Sequence, residues 1–276
     1  LCEHGAPPPF LFMTGQGAAD QAVRLLRSGA ADYLMKPFDM GQFLERLTQV
    51  ITPPGLATKG PWFGISPMAR ALDSDLDRLA DRAEPVLILG DGGTGKRLVA
   101  HRLHRLSDRR SAPFIAVDLT RLSPQDMVRE VLDPDSGAFT RAGEGSVLIE
   151  RIGRASADLQ ARLVAALWAS DGAAGPRLIA TDGADLMPDS LRPDLYFHMS
   201  VLTLKIPAFR SRPEDAVWLM SRLFEGMNAR RSVPFRGISP QAEQAVRAHD
   251  WPGNGRELRA RLMRAMAMAK GDTVFP

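Results

Sequence analysis

The chain has 276 residues, of which 45% are hydrophobic and 24% charged, and its formal net charge is +3, so it is long enough for more than one domain and its charge gives no argument for nucleic-acid binding. Its single cysteine, Cys2, excludes an internal disulfide framework and fits a reducing, cytoplasmic setting. No apolar run approaches the roughly 18 residues a membrane-spanning helix needs, so neither a membrane segment nor a signal peptide is expected.

The chain begins at Leu1, without Met, in the middle of a pattern, and this reads as a fragment. The run "FLFM" (10–13), bounded by Pro9 and Gly15, is a strand signal. "AADQAVRLLRSGA" follows with helical spacing and stops at Gly29. "DYLMKP" reads as a second strand and "MGQFLERLTQVI" as a second amphipathic helix. This alternation predicts parallel strands. Residues 53–62 are a Pro/Gly-rich linker.

A second α/β block begins near Phe63, with strands expected at 86–89, 114–117, 146–149, 177–180 and 201–206. After Pro207 the apolar spacing is helical only. The domain boundaries expected are therefore 1–52, 63–208 for an α/β core, and 209–276 for an all-helical unit.

"GDGGTGK", Gly90-Asp91-Gly92-Gly93-Thr94-Gly95-Lys96, follows the strand "VLIL" and precedes the helical run "RLVAHRLHRL". This is the phosphate-binding loop pattern in the strand–loop–helix context it requires. Its glycines let successive N–H groups converge on phosphate oxygens, and the helix amino end favours an anion. Lys96 would reach the β- and γ-phosphates of a bound ATP. Arg97 stands where many such loops carry the Ser or Thr that coordinates magnesium. His101 and His104 have no Cys or acidic ligand near them in sequence, so a metal there is not expected. "HRLSDRR" (104–110) reads as a solvated helix end, and the methionines of 261–270 as packing.

The first segment, "FLFMTG" with "SGAADYLMKPF", resembles the carboxyl-terminal half of a bacterial receiver domain, Thr14 matching that family's switch hydroxyl and Lys36 its lysine before proline. The upstream strands that would carry the phosphoacceptor are not in this sequence, so phosphorylation as it stands is not expected. Residues 63–276 resemble the AAA+ domain of sigma-54-dependent transcriptional activators, through "GISPM" (64–68), the phosphate loop, "GAFTRA" (137–142), "LRPDLYFH" (191–198), "PAFRSRPEDA" (207–216) and "WPGNGREL" (251–258). The resemblance implies an AAA+ parallel-sheet P-loop core with an α-helical lid. It also implies ATP or ADP with magnesium as cofactors, sigma-54 RNA polymerase as a partner, and assembly with like subunits into a ring. DNA binding is implied only through a helix-turn-helix domain not present in this chain.

Departures from the family pattern shape the functional expectation. Aligning Ile152-Gly153 with the family's Asp-Glu-Ile-Gly puts Glu150 at the metal-binding acid and Arg151 at the catalytic glutamate. A guanidinium stays protonated and cannot act as a base. Asp182 stands at the family's phosphate-sensing Asn. Of two arginines offered to a neighbour's nucleotide, Arg192 is kept and the other is His198. The lid's phosphate-sensing arginine matches Arg256. Phe139 and Thr140 match the sigma-54-contacting tip, on a shortened loop in which Arg141 replaces a glycine.

The resemblance thus implies a nucleotide-binding regulator with impaired hydrolysis. Two alternatives stand beside it. One is a nucleotide-gated interaction module that no longer engages sigma-54. The other is a working ATPase with a substitute base, Glu144 or Asp118.

Overall fold

The computed structural model describes the backbone of residues 11–14 and 32–35, and residues 61–169, 175–269, 271 and 273–274. The chain divides into two compact units, Leu1–Gly60 and Pro61–Pro276. In the first, β1 (Leu11–Thr14) and β2 (Asp32–Met35) pair in parallel, Thr14 opposite Met35. The helices and linker expected there, and Lys36, lie outside the described residues.

The second unit carries one five-stranded parallel sheet: β3 (Val86–Gly90), β4 (Phe114–Asp118), β5 (Ser146–Glu150), β6 (Arg177–Asp182) and β7 (Leu202–Ile206). Their spatial order is β4-β5-β6-β3-β7. The period-2 alternation of a strand splits the sheet's side chains into two cores. Leu87, Val147, Ile149, Leu178 and Ala180 face one side, packed with α3 (Pro124–Leu132), α4 (Ala138–Ala142), α5 (Ala157–Ala169) and α6 (Pro193–Ser200). Val86, Ile88, Leu148 and Ile179 face the other, against α1 (Pro67–Leu79) and α2 (Lys96–Leu106). Covered on both faces, these strands read in the sequence as continuous apolar runs.

Helix starts are set by a repeated dipeptide. Ser66-Pro67 and Ser123-Pro124 open α1 and α3, and Ser239-Pro240 opens α8 (Pro240–Ala248). Each serine hydroxyl accepts from an N–H of the first turn, and each proline takes the position where its missing N–H costs nothing.

The lid consists of α7 (Pro213–Asn228), α8 and α9 (Asn254–Met268) around Phe224, Trp251, Leu258, Leu262 and Met266. It is not helical throughout as the sequence pattern predicts, because Gly237–Ile238 pairs in parallel with Thr273–Val274. Two-residue strands leave no periodicity to read. The methionine-rich stretch also packs less than expected: Met266 is buried, while Met263 and Met268 are exposed.

Beneath the sheet's amino-terminal side, His104 is buried with Nδ1 2.9 Å from the Ser146 hydroxyl and its ring against Phe114. Burial, reinforced by the neighbouring His101, lowers its pKa from 6.5 to about 4. The unfolded chain therefore takes up a proton that the folded chain refuses as the pH falls from about 6.5 to 4. Stability should be flat above that window and decline within it, by about 1–3 kcal/mol from this group. Urea unfolding at a series of pH values measures the decline, and His104→Gln should remove its share.

Candidate nucleotide-binding site

All five strands point their carboxyl ends the same way, and β3 lies where the connections diverge to either side, so the loop after β3 sits at the crevice such sheets use for ligands. That loop is the Gly90–Lys96 segment. Gly93 (φ +78°) and Gly95 (φ +97°) adopt the left-handed conformation that a Cβ disfavours. Gly95 is the N-cap of α2 and supplies no side-chain cap, leaving first-turn N–H groups facing the loop. Thr94 is buried, its hydroxyl donating to the Asp91 carbonyl at 2.9 Å. Lys96 donates from Nζ to the carbonyls of Gly90 and Asp91, at 2.5 and 3.0 Å. Burial lowers the pKa of Lys96, and the adjacent Arg151 charge lowers it further. Polyphosphate oxygens fit this donor set: an ammonium, uncapped amides, and glycines that keep side chains away.

The ends of β5 and β6 carry the other charged groups. Glu150 is the last residue of β5, not the residue after it, and pairs across to Asp118 on β4 and Thr181 on β6. Arg97 Nη1 lies 3.3 Å from Glu150 Oε2. Arg151 takes a left-handed conformation, φ 63° and ψ 54°, which costs a non-glycine residue about 1–3 kcal/mol. Its N–H donates to the Thr181 carbonyl at 2.8 Å, and its guanidinium lies 3.8 Å from Asp182 Oδ1. Asp182 is likewise within its strand. It accepts from the N–H of Gly153 (2.6 Å) and of Gly183 (2.7 Å), so its carboxylate ties the two strand ends together.

Magnesium does not fit here as it would in a loop with a hydroxyl after the lysine. The residue after the lysine is a cation, Arg97, and it faces Glu150. Asp118 accepts from the backbone and hydroxyl of Thr120 and faces Arg121. Burial works to raise its pKa, but these hydrogen bonds and the Arg121 and Arg151 charges prevail and hold it low. Glu144, by contrast, precedes the amino end of β5, a strand's length of roughly 15 Å from these groups. That position removes it as a substitute base.

The lid closes over the loop through contacts the motif reading did not single out. Asn254 is fully buried at φ 47°. It donates to the Gly92 carbonyl at 3.0 Å and accepts from the Phe209 N–H at 2.8 Å. The Gly255 N–H donates to the Gly93 carbonyl at 3.1 Å, which places Arg256, in the first turn of α9, beside the loop. Arg210 reaches Asp91 at 2.7 Å. Arg212, 1% exposed, lies over the rings of Phe63 and Phe209, and Phe63 packs beneath Gly95. Both "PAFRSR" and "WPGN" were visible as motifs, but their partners lie far away in sequence.

The remaining expected site residues lie elsewhere. Arg192, before α6, forms a two-pronged pair with Asp194 at 3.1 and 2.8 Å, and this holds the Asp194 carboxyl below its ordinary range. His198 on the same helix meets the exposed Trp168 edge-on. The segment carrying Phe139 and Thr140 is not an extended loop but the short helix α4. Phe139 packs on the core, and the Thr140 hydroxyl donates to the carbonyls of Asp133 and Pro134. Arg141 pairs with Glu130.

Parallel-sheet core, phosphate loop and helical lid together define a P-loop module of the AAA+ class. The Sigma-54 interaction domain matches residues 63–172, and the AAA+ ATPase lid domain residues 210–276. The chain is 32% identical to the response regulator protein FleR of Pseudomonas aeruginosa, over 97% of this chain and 62% of FleR. It is 30% identical to the transcriptional regulatory protein ZraR of Escherichia coli, over 96% of this chain and 68% of ZraR. Among solved structures, NtrX from Brucella abortus in complex with ATP superposes with a TM-score of 0.70 at 25% identity, covering 96% of this chain and 64% of NtrX. The chain belongs to the family of sigma-54-dependent response regulators, and it spans roughly two thirds of the length of these relatives.

The lid's anchorage gives a direct test. Asp215, on α7, is fully buried and accepts from the N–H groups of Ile65 and Ser66, the Ser66 hydroxyl and Arg212. Asp215→Ala leaves the Arg212 charge buried without its partner and should cost about 3–5 kcal/mol. Chemical denaturation followed by circular dichroism measures this.

Proposed function

We propose that the chain is the nucleotide-binding part of a sigma-54-dependent transcriptional regulator in which ATP or ADP is held and hydrolysis is slow or absent. The observation that carries this reading is Arg151 at the end of β5, fixed in a left-handed turn and facing Asp182. A residue there that stays protonated cannot take a proton from an attacking water. Gly90 to Lys96 and Arg256 hold the phosphates, and the match to NtrX in its ATP complex supports retention of binding. Asp182 supports the same conclusion, since an anion near the γ-phosphate repels it and this carboxylate is committed to backbone amides.

Like subunits assemble through the face bearing Arg192, with His198 in place of a second finger, a change that weakens any transfer of charge to a neighbour's nucleotide. Residues 1–52 correspond to the carboxyl-terminal half of a receiver domain, Thr14 and Lys36 matching that family's switch hydroxyl and lysine. DNA is engaged through a domain outside this sequence, and the protein works in the cytoplasm.

Steady-state ATP turnover, measured beside Lys96→Ala and Arg151→Glu, tests the reading. The native chain should turn over no faster than Lys96→Ala while still binding ATP. Arg151→Glu should raise the rate by about 10²-fold or more, the scale of a restored general base. Clear native turnover that Lys96→Ala abolishes would overturn the reading and leave Asp118 as the base to test.

A second reading, a nucleotide-gated module that no longer touches sigma-54, is favoured by the packing of Phe139 and by the Thr140 hydroxyl being bonded to its own segment's carbonyls, Asp133 and Pro134. Sigma-54 capture in each nucleotide state separates the two. The expected outcome is capture too weak to distinguish from Thr140→Ala. Firm capture that Thr140→Ala abolishes restores the sigma-54 contact.

A further inference from the structure

We propose that this site takes its nucleotide as the metal-free polyphosphate, with Arg97 supplying from the protein the charge that magnesium brings elsewhere. The inference rests on the nucleotide-binding reading above and concerns the same site.

In a P-loop site the metal stands between the hydroxyl after the lysine, the β- and γ-phosphates, and the acid ending the neighbouring strand. Here the acid is kept as Glu150, and although the family does not require a hydroxyl after the lysine, the residue in that place is a cation that reaches the acid: Arg97 Nη1 is 3.3 Å from Glu150 Oε2. Magnesium binds a carboxylate oxygen at about 2.0–2.1 Å in near-octahedral geometry, so a guanidinium held 3.3 Å from that oxygen sets a like charge against the metal's seat. Thr94, the loop's remaining hydroxyl, is buried and turned onto the Asp91 carbonyl. Asp118, opposite Glu150 on β4, serves Thr120 and faces Arg121.

The local charge balance agrees. Arg151 and Arg256 lie close enough to Lys96 to act on its charge, and the acids nearby, Glu150, Asp182 and Asp91, already face cations or backbone amides. A dication added to this set meets like charge, whereas a polyphosphate meets a complete complement. Guanidinium also suits the task, because its planar fork bonds two phosphate oxygens at once. The side chain is about half exposed (47%), so its other N–H groups can meet phosphate while Nη1 stays on Glu150.

Calorimetric titration of the full chain with ATP, in magnesium and in excess chelator, tests this. The native affinities should agree within about threefold, a difference of less than one factor of ten. Arg97→Ser, which returns the hydroxyl and frees Glu150, should lose about tenfold or more in chelator and recover with magnesium. Circular dichroism confirms that the variant folds, and Lys96→Ala is the non-binding reference. Native binding that requires magnesium overturns the inference and leaves nucleotide binding standing. Equal binding of Arg97→Ser in both conditions overturns the role of Arg97. If the native chain matches Lys96→Ala in both conditions, nucleotide binding itself fails and the inference falls with it.

Discussion

The contact on which this molecule's organisation depends is the approach of Gly93 to Gly253. A Cβ on Gly93 would lie 2.2 Å from the Gly253 carbonyl oxygen, so the phosphate loop and the lid meet backbone to backbone. That approach lets the Gly255 N–H donate to Gly93 and the Asn254 side chain reach Gly92. Through Asn254 the same contact fixes Phe209, and Phe209 with Phe63 encloses Arg212. Loop, hinge and lid are thus one packed assembly, and a ligand that moves the loop must move the base of α9.

A second organising constraint is electrostatic. Parallel strands gather their carboxyl-terminal residues at one edge, so charged residues there face one another whatever their separation in sequence. Arg97 and Arg151 are answered by Glu150 and Asp182. The arrangement resembles an acid-bearing catalytic edge in which cations have been placed on the acids. Such exposed pairs contribute little stability, about 0–1 kcal/mol each. Their consequence is chemical: they set which charges a phosphate meets.

Legibility in the sequence follows the range of each signal. The phosphate loop was readable because its glycines, lysine, strand and helix are contiguous. Strand interiors were readable as apolar runs, but their ends were placed early, at Ile149 and Ala180, because the run stops at the first polar side chain while the hydrogen-bonded ladder continues through Glu150 and Asp182. The helix at Ala138–Ala142 was expected as a loop, since five residues show no 3.6-residue period. Arg97 with Glu150, and Arg210 with Asp91, are pairs separated by 53 and 119 positions, which only the folded sheet and lid bring together. Glu144 is close to Glu150 in sequence, yet the strand between them sends it to the opposite end of the sheet.

The division between kept and altered family positions has a structural logic. Gly93 and the lid's Asn254 are packing groups: one admits the lid and the other is buried within it. Replacing either strains the core. The side chains of Arg97 and Arg151, in contrast, are each 47% exposed and face the acids at the strand ends. Changing either side chain disturbs no core packing, so the charge at these positions can vary while the fold and the loop persist. A chain that keeps its phosphate loop and lid contacts while carrying arginines on α2 and just after β5 is what that difference in structural burden permits.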